Sequence, residues 1–106
     1  MKEIRSGRYR VEYLPGARDD LLESFDYICR DDPDAAGGFI ERIDKAISKL
    51  ANFPKLGTVP KDQRLGLLGY RMLIIDNYIA FYVVEGDVVE IRRIVHGRRR
   101  YSFLVE

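Results

Sequence analysis

A proline interrupts what would otherwise be one long helix, and that interruption constrains the fold of this chain more than any other feature. Ala17, Leu21, Leu22, Phe25, Ile28 and Cys29 recur at intervals of three and four, the period of one apolar helical face. Phe39, Ile40, Ile43, Ala46, Ile47 and Leu50 repeat the pattern further on. Between the two stripes stands Asp31-Asp32-Pro33-Asp34. Proline cannot donate the hydrogen bond that a helix interior demands, but it suits the first helical position, where that donor has no partner anyway. Asp32 can accept from the freed amides as an N-cap. The spacing therefore predicts a helical hairpin whose second arm ends near Asn52-Phe53-Pro54. Gly37-Gly38 falls inside that arm, at a cost of about 1 kcal/mol per glycine relative to alanine. A close crossing of the two helices would offset it. The pair is not a phosphate loop, because no strand leads into it.

Strands flank the hairpin. Residues 9–14 (Tyr-Arg-Val-Glu-Tyr-Leu) alternate and are rich in strand formers, and Pro15-Gly16 closes this strand and opens the first helix. Asp19, Asp20, Glu23 and Asp26 cover the polar side of that helix, and the earliest of them suit the positive end of its dipole. Residues 54–69 read as a loop with basic points at Lys55, Lys61 and Arg64. Residues 70–75 and 78–84 form two strands joined by Asp76-Asn77, a pair that tolerates the positive φ of a two-residue turn. Glu85-Gly86 turns into a last strand over 88–96. The order is β-α-α-β-β-β, an α+β fold in which an antiparallel sheet carries a helical hairpin on one face. All 106 residues fit one domain. Tyr9, Tyr13, Tyr78 and Tyr82 are expected to pack in the sheet. On the last strand, Val89, Ile91, Arg93 and Val95 share one face, and Val88, Glu90, Arg92, Ile94 and His96 the other. The second set is more polar, so His96 is expected to lie away from the helices, and Arg93 needs an exit at the sheet edge.

Composition narrows the function. With 46% apolar and 33% charged residues the chain is of the globular class, and a formal net charge of +1 argues against a general coat for nucleic acid. The charge is unevenly placed. Residues 19–34 carry seven acids against one arginine, whereas between Ile91 and Tyr101 there are five arginines, the only histidine and no acid. Local charge of one sign meets an anion or an acidic partner, so the functional surface is expected at the end of the last strand. Cys29 is the only cysteine, which excludes an intrachain disulfide and reads as a buried, inert thiol. One histidine and one cysteine far apart supply no metal site, and no nucleotide-binding glycine motif is present, so no cofactor is expected. The first residues lack the apolar core of a signal peptide, and no apolar run approaches the roughly 20 residues of a membrane helix. The cytoplasm is the expected location.

Tyr-Arg-Val-Glu-Tyr-Leu-Pro-Gly-Ala-Arg-Asp-Asp-Leu (9–21), Phe-Pro-Lys-Leu-Gly (53–57), Gly-Tyr-Arg (69–71), Asn-Tyr-Ile-Ala-Phe-Tyr (77–82) and Arg-Ile-Val-His-Gly-Arg-Arg (93–99), in this order and spacing, resemble the RelE/ParE superfamily of type II toxin–antitoxin toxins. The resemblance implies a small growth-inhibiting toxin neutralised by a cognate antitoxin, whose C-terminal segment wraps the toxin. It leaves the target open. RelE-like members are ribosome-dependent endoribonucleases that cut mRNA, and ParE-like members poison DNA gyrase.

Cleaving RNA through its 2′-hydroxyl requires a base, an acid and cations that stabilise the phosphorane. RelE-like nucleases use lysine and arginine for this, including an arginine after the tyrosine that begins the third strand. Here Tyr78 is followed by Ile79, and the preceding strand offers Arg71 but then Leu73 and Ile75 at the alternate positions. What remains for a nuclease is His96 as base, Arg98 or Arg99 on the phosphate and Tyr101 stacked on a base. The resemblance is closer to the ParE-like branch, which would bind gyrase through Arg71, Arg92, Arg98, Arg99 and Arg100 without catalysis. A third reading is an inactive relative that acts only by binding antitoxin. Blander roles stand beside these: the arginine run as a solvated tail, His96 as a hydrogen-bonded surface residue, and Glu90 with Arg92 as a surface ion pair.

Overall fold

The computed structural model describes residues 7–97 and Leu104. Strand β1 (Arg10–Tyr13) leads into helix α1 (Pro15–Asp31), which has Pro15 in its first turn. Helix α2 (Pro33–Ser48) begins where the sequence requires: the Asp32 side chain accepts from the Ala35 amide at 3.2 Å and Pro33 opens the first turn. A single 3-10 turn (Lys49–Ala51) ends the hairpin. A connection carrying one short helix, α3 (Gln63–Leu67), leads to β2 (Tyr70–Ile75), β3 (Tyr78–Glu85) and β4 (Val88–His96). The loop expected over 54–69 therefore contains a helix. Asp62 caps it by accepting from the Arg64 amide at 2.9 Å.

The strands lie in the order β1-β4-β3-β2. β2, β3 and β4 pair antiparallel, but β1 pairs parallel to β4, from Arg10 opposite Val88 to Tyr13 opposite Ile91. The sheet is thus mixed rather than wholly antiparallel. A helical hairpin is a long crossover, and parallel neighbours need one. Both hairpin turns have two residues. Asp76 takes φ +54° at the first, and Gly86-Asp87, one position later than expected, form the second with Gly86 at φ +60°.

The two faces of the sheet bury different clusters. Ala17 and Leu21 of α1 and Phe39, Ile43 and Ile47 of α2 pack on Val11, Tyr13, Tyr82, Val89, Ile91 and Ile94. Each large side chain removed from water in this way contributes roughly 1.5–3 kcal/mol. Leu65 of α3 covers the back face with Tyr70, Phe81, Val83 and Val95, and Leu104 packs against the same cluster. Tyr13 and Tyr82 are fully packed, and Tyr9 and Tyr78 border the helix-side core. Helix α1 departs from the sequence pattern in three ways. Leu22 is exposed, Cys29 is half-buried, and α1 has no acid in its first turn because it starts at Pro15. The helices do not cross at Gly37-Gly38 either: nothing lies within 4 Å of a Cβ built at Gly37, and at Gly38 only the tip of Arg42 does.

Candidate functional site

The end of β4 is shaped by a bulge. Tyr82 pairs with Ile91 but Phe81 pairs with Arg93, so Arg92 is an extra residue with no partner across the ladder. One inserted residue turns every later side chain to the opposite face. Val89 and Ile91 face the helices before the bulge, and Ile94 does so after it, while Val95 joins the back-face cluster. His96 moves with Ile94. Strict alternation placed it away from the helices, and the bulge brings it onto their side.

β1 ends opposite Ile91, so β4 has an open edge from Arg93 onward. Asp20 of α1 covers that edge. Its carboxylate accepts from the Ile94 amide at 2.8 Å and from Arg93 Nε and Nη2 at 2.7 and 2.9 Å. This is the edge exit that Arg93 requires, and it makes Asp20 a buried residue rather than part of a solvated helix face.

His96 lies directly opposite Tyr78 of β3, with the rings edge-to-face at 5.3 Å, and Tyr78 in turn meets Phe39 of α2 at 4.8 Å. The Gly97 amide donates to the Asn77 carbonyl at 2.7 Å, closing this corner of the sheet. Exposed at that corner, His96 borders two grooves. One, of about 510 Å³, runs between α1 and the end of β4 and is lined by Asp20, Glu23, Tyr27 and Arg30. The other, of about 540 Å³, lies over the β2–β3 turn beside Ile74, Asn77, Ile79 and Gly97. Among the described residues Arg30 is the only lysine or arginine lining either groove, and Glu23 stands in the same wall. A bound phosphate would meet carboxylate as well as guanidinium there. Ile79 and Ile74 supply only aliphatic surface to the second groove.

Of the arginines expected to bind a target, the two described ones, Arg71 and Arg92, are not gathered. Arg71 pairs across from Tyr82 and so shares the helix-side face. It donates to the Gly57 carbonyl at 2.8 Å. The Tyr82 hydroxyl completes that anchorage, accepting from the Gly57 amide at 2.9 Å and donating to the Pro54 carbonyl at 2.7 Å. Arg92 lies on the other face, its guanidinium 5.5 Å from the centre of the Tyr70 ring and 2.9 Å from Glu90. The ion pair expected of Glu90 and Arg92 is thus present. Arg98, Arg99, Arg100 and Tyr101 lie outside the described residues.

Sequence reasoning placed Tyr82 in the sheet but missed its hydroxyl's hold on Pro54 and Gly57, and it missed the burial of Asp20. Asp20 had a signal: it follows Ala17 by three and precedes Leu21, which puts it on the buried stripe. Tyr82 had none beyond its place in an apolar strand. Among the described residues no group of three histidine, cysteine, aspartate or glutamate side chains is placed to hold a metal ion, and no helix is long and apolar enough to cross a membrane.

Comparison with known proteins adds two findings. Residues 11–101 match the family described as the ParE toxin of type II toxin–antitoxin system, parDE. Among solved structures the chain is similar to one of a chromosomal ParDE TA system from P. aeruginosa, at 20% identity over 84% of this chain and 96% of that chain, with a TM-score of 0.71. That likeness concerns the fold. No match was found among curated proteins.

Proposed function

The chain belongs to the ParE toxin family of type II toxin–antitoxin systems, and from that premise we propose that it arrests growth by binding DNA gyrase and is held inactive by a cognate antitoxin. The mechanism is binding without chemistry. The toxin stabilises or blocks a gyrase–DNA intermediate through an arginine surface formed by Arg92 and the run Arg98, Arg99 and Arg100, with Arg71 contributing from the opposite face. Arg92 suits such a role because about a third of its side chain (33%) stays in water beside its pair with Glu90, where a target carboxylate or phosphate can reach it.

One observation carries the preference for binding over catalysis: among the described residues that line the groove beside His96, the one lysine or arginine is Arg30, with Glu23 in the same wall. A phosphorane transition state needs preorganised positive charge where its negative charge develops, and the described residues do not gather it. Mixed mRNA-cleaving chemistry has one feature in its favour, the exposure of His96 between two grooves. Toxicity separates the two. With the toxin expressed from a tightly controlled promoter, His96→Ala should still arrest growth, and an Arg98→Ala/Arg99→Ala double variant should not. Loss of toxicity in His96→Ala alone, with antitoxin binding intact, would move the protein to the mRNA-cleaving class. Tolerated expression of the wild-type chain would identify it as an inactive relative.

A further inference from the structure

The connection between α2 and β2 presents apolar side chains to solvent on a rigid mount. Phe53, Leu56, Val59, Leu67 and Leu68 are between 48% and 88% exposed. Chain continuity and local contacts link them. The Leu56 amide donates to the Phe53 carbonyl, and Val59 follows Leu56 by three residues, a span of at most about 11 Å. Val59 rests on α3, where its Cγ1 would stand 3.3 Å from a Cβ at Gly66, and Leu67 and Leu68 follow directly. Thr58 exchanges both backbone bonds with Met72, at 2.9 and 2.7 Å. Leu65 is fully buried in the back-face cluster, and Tyr82 holds Pro54 and Gly57 from beneath. A patch of this kind, fixed in place and left bare, marks an interaction surface.

Its rim is basic. Residues 53–68 contain Lys55, Lys61 and Arg64 against one acid, Asp62. That acid is bonded to Arg64 at 2.9 Å. An acidic partner with apolar side chains of its own fits both properties.

We propose that this connection docks an acidic, amphipathic segment of the antitoxin, which seats apolar side chains on Leu56, Val59, Leu67 and Leu68 and sets carboxylates against Lys55 and Lys61. The inference rests on the reading of the chain as an antitoxin-held toxin and adds where the holding occurs. A permanently bound partner fits the patch better than a transient target, because interfaces of permanent complexes are the more apolar ones. A toxin stored in a complex also needs its bare apolar surface covered.

The test is a calorimetric titration of purified full-length antitoxin into the whole toxin and two variants, Leu67→Ser/Leu68→Ser and Lys55→Glu/Lys61→Glu. All four side chains are exposed, so both variants keep the fold, which thermal melts verify. Each should bind antitoxin about tenfold more weakly or worse, with the lysine variant's deficit shrinking as salt rises. A Leu22→Ser/Tyr27→Ser variant of α1 should lose less than about threefold. Unchanged affinity in the leucine variant overturns the proposal. So does a leucine variant that keeps antitoxin but loses gyrase inhibition, which would give the patch to the target, or one that merely dissociates a toxin dimer, which would give it to a second copy. A wild-type toxin that binds antitoxin yet leaves gyrase untouched would defeat the gyrase reading alone, and the titration would still decide this one.

Discussion

Asp20 sits on α1 between Ala17 and Leu21, its carboxylate aimed at the edge of β4 beyond the end of its pairing with β1. Asp20→Ala would remove both carboxylate hydrogen bonds of the Arg93 guanidinium and the acceptor of the Ile94 amide. Because Arg93 keeps about a quarter of its side-chain surface in water (27%), the expected loss is about 2 kcal/mol, below that of a fully buried pair. A urea midpoint that falls with an unchanged slope would report it; a midpoint within error of wild type would refute the role. Tyr13 carries a second prediction. Its hydroxyl is pushed well above the usual phenol range, first by burial, then by the hydrogen bond to Asp44 and that group's charge. Tyr82 is raised too, chiefly by burial. A folded-state pKa above the unfolded value means that the fold favours the neutral phenol. The stability this contributes is fully present below pH about 10 and is lost as pH climbs past it. Denaturation midpoints should therefore drop steeply above pH about 10, and Tyr13→Phe should flatten that drop. Equal alkaline slopes in wild type and Tyr13→Phe would show that Tyr13 is not the group responsible.

Glycines at three positions separate what elements need from what they tolerate. At Gly57 a Cβ would stand 2.5 Å from the Met72 carbonyl and 2.8 Å from the Tyr82 ring. Gly57→Ala should therefore lower stability by about 2 kcal/mol by pushing the connection off β2. Gly37 and Gly38 have no such constraint in α2, so Gly37→Ala should raise stability by about 0.5–1 kcal/mol through helix propensity alone. Thermal melts of the two variants should move in opposite directions. The elements themselves were legible in the sequence because their signals are local: an apolar period, Asp32-Pro33 at a helix start, Asp76-Asn77 at a turn. Three features were not. β1 pairs with a strand more than seventy residues later, and its direction depends on the crossover between them rather than on its own residues. The bulge at Arg92 has no glycine or proline to mark it, so alternation carried through it put His96 on the wrong face. α3 is five residues long, too short for a period to register.

Across the whole molecule, the two faces of the sheet divide the labour. The helix side supplies most of the core, and the back face carries α3, Leu65 and the contact with Leu104. Arg71 and Arg92 stand on opposite faces, so a target that uses both must reach around the edge of the sheet. The apolar patch of the connection and the arginine run that follows β4 in the sequence are chemically distinct. That suits a toxin that meets a permanent, apolar-lined neutraliser at one surface and a charged target at another. Gyrase-catalysed supercoiling with purified, antitoxin-free toxin decides whether the target contact is made by binding alone. Supercoiling should be inhibited with cleavage complexes trapped, an effect retained in His96→Ala and lost on substitution of the arginines. Normal supercoiling in the presence of a folded, growth-arresting toxin would rule that mechanism out.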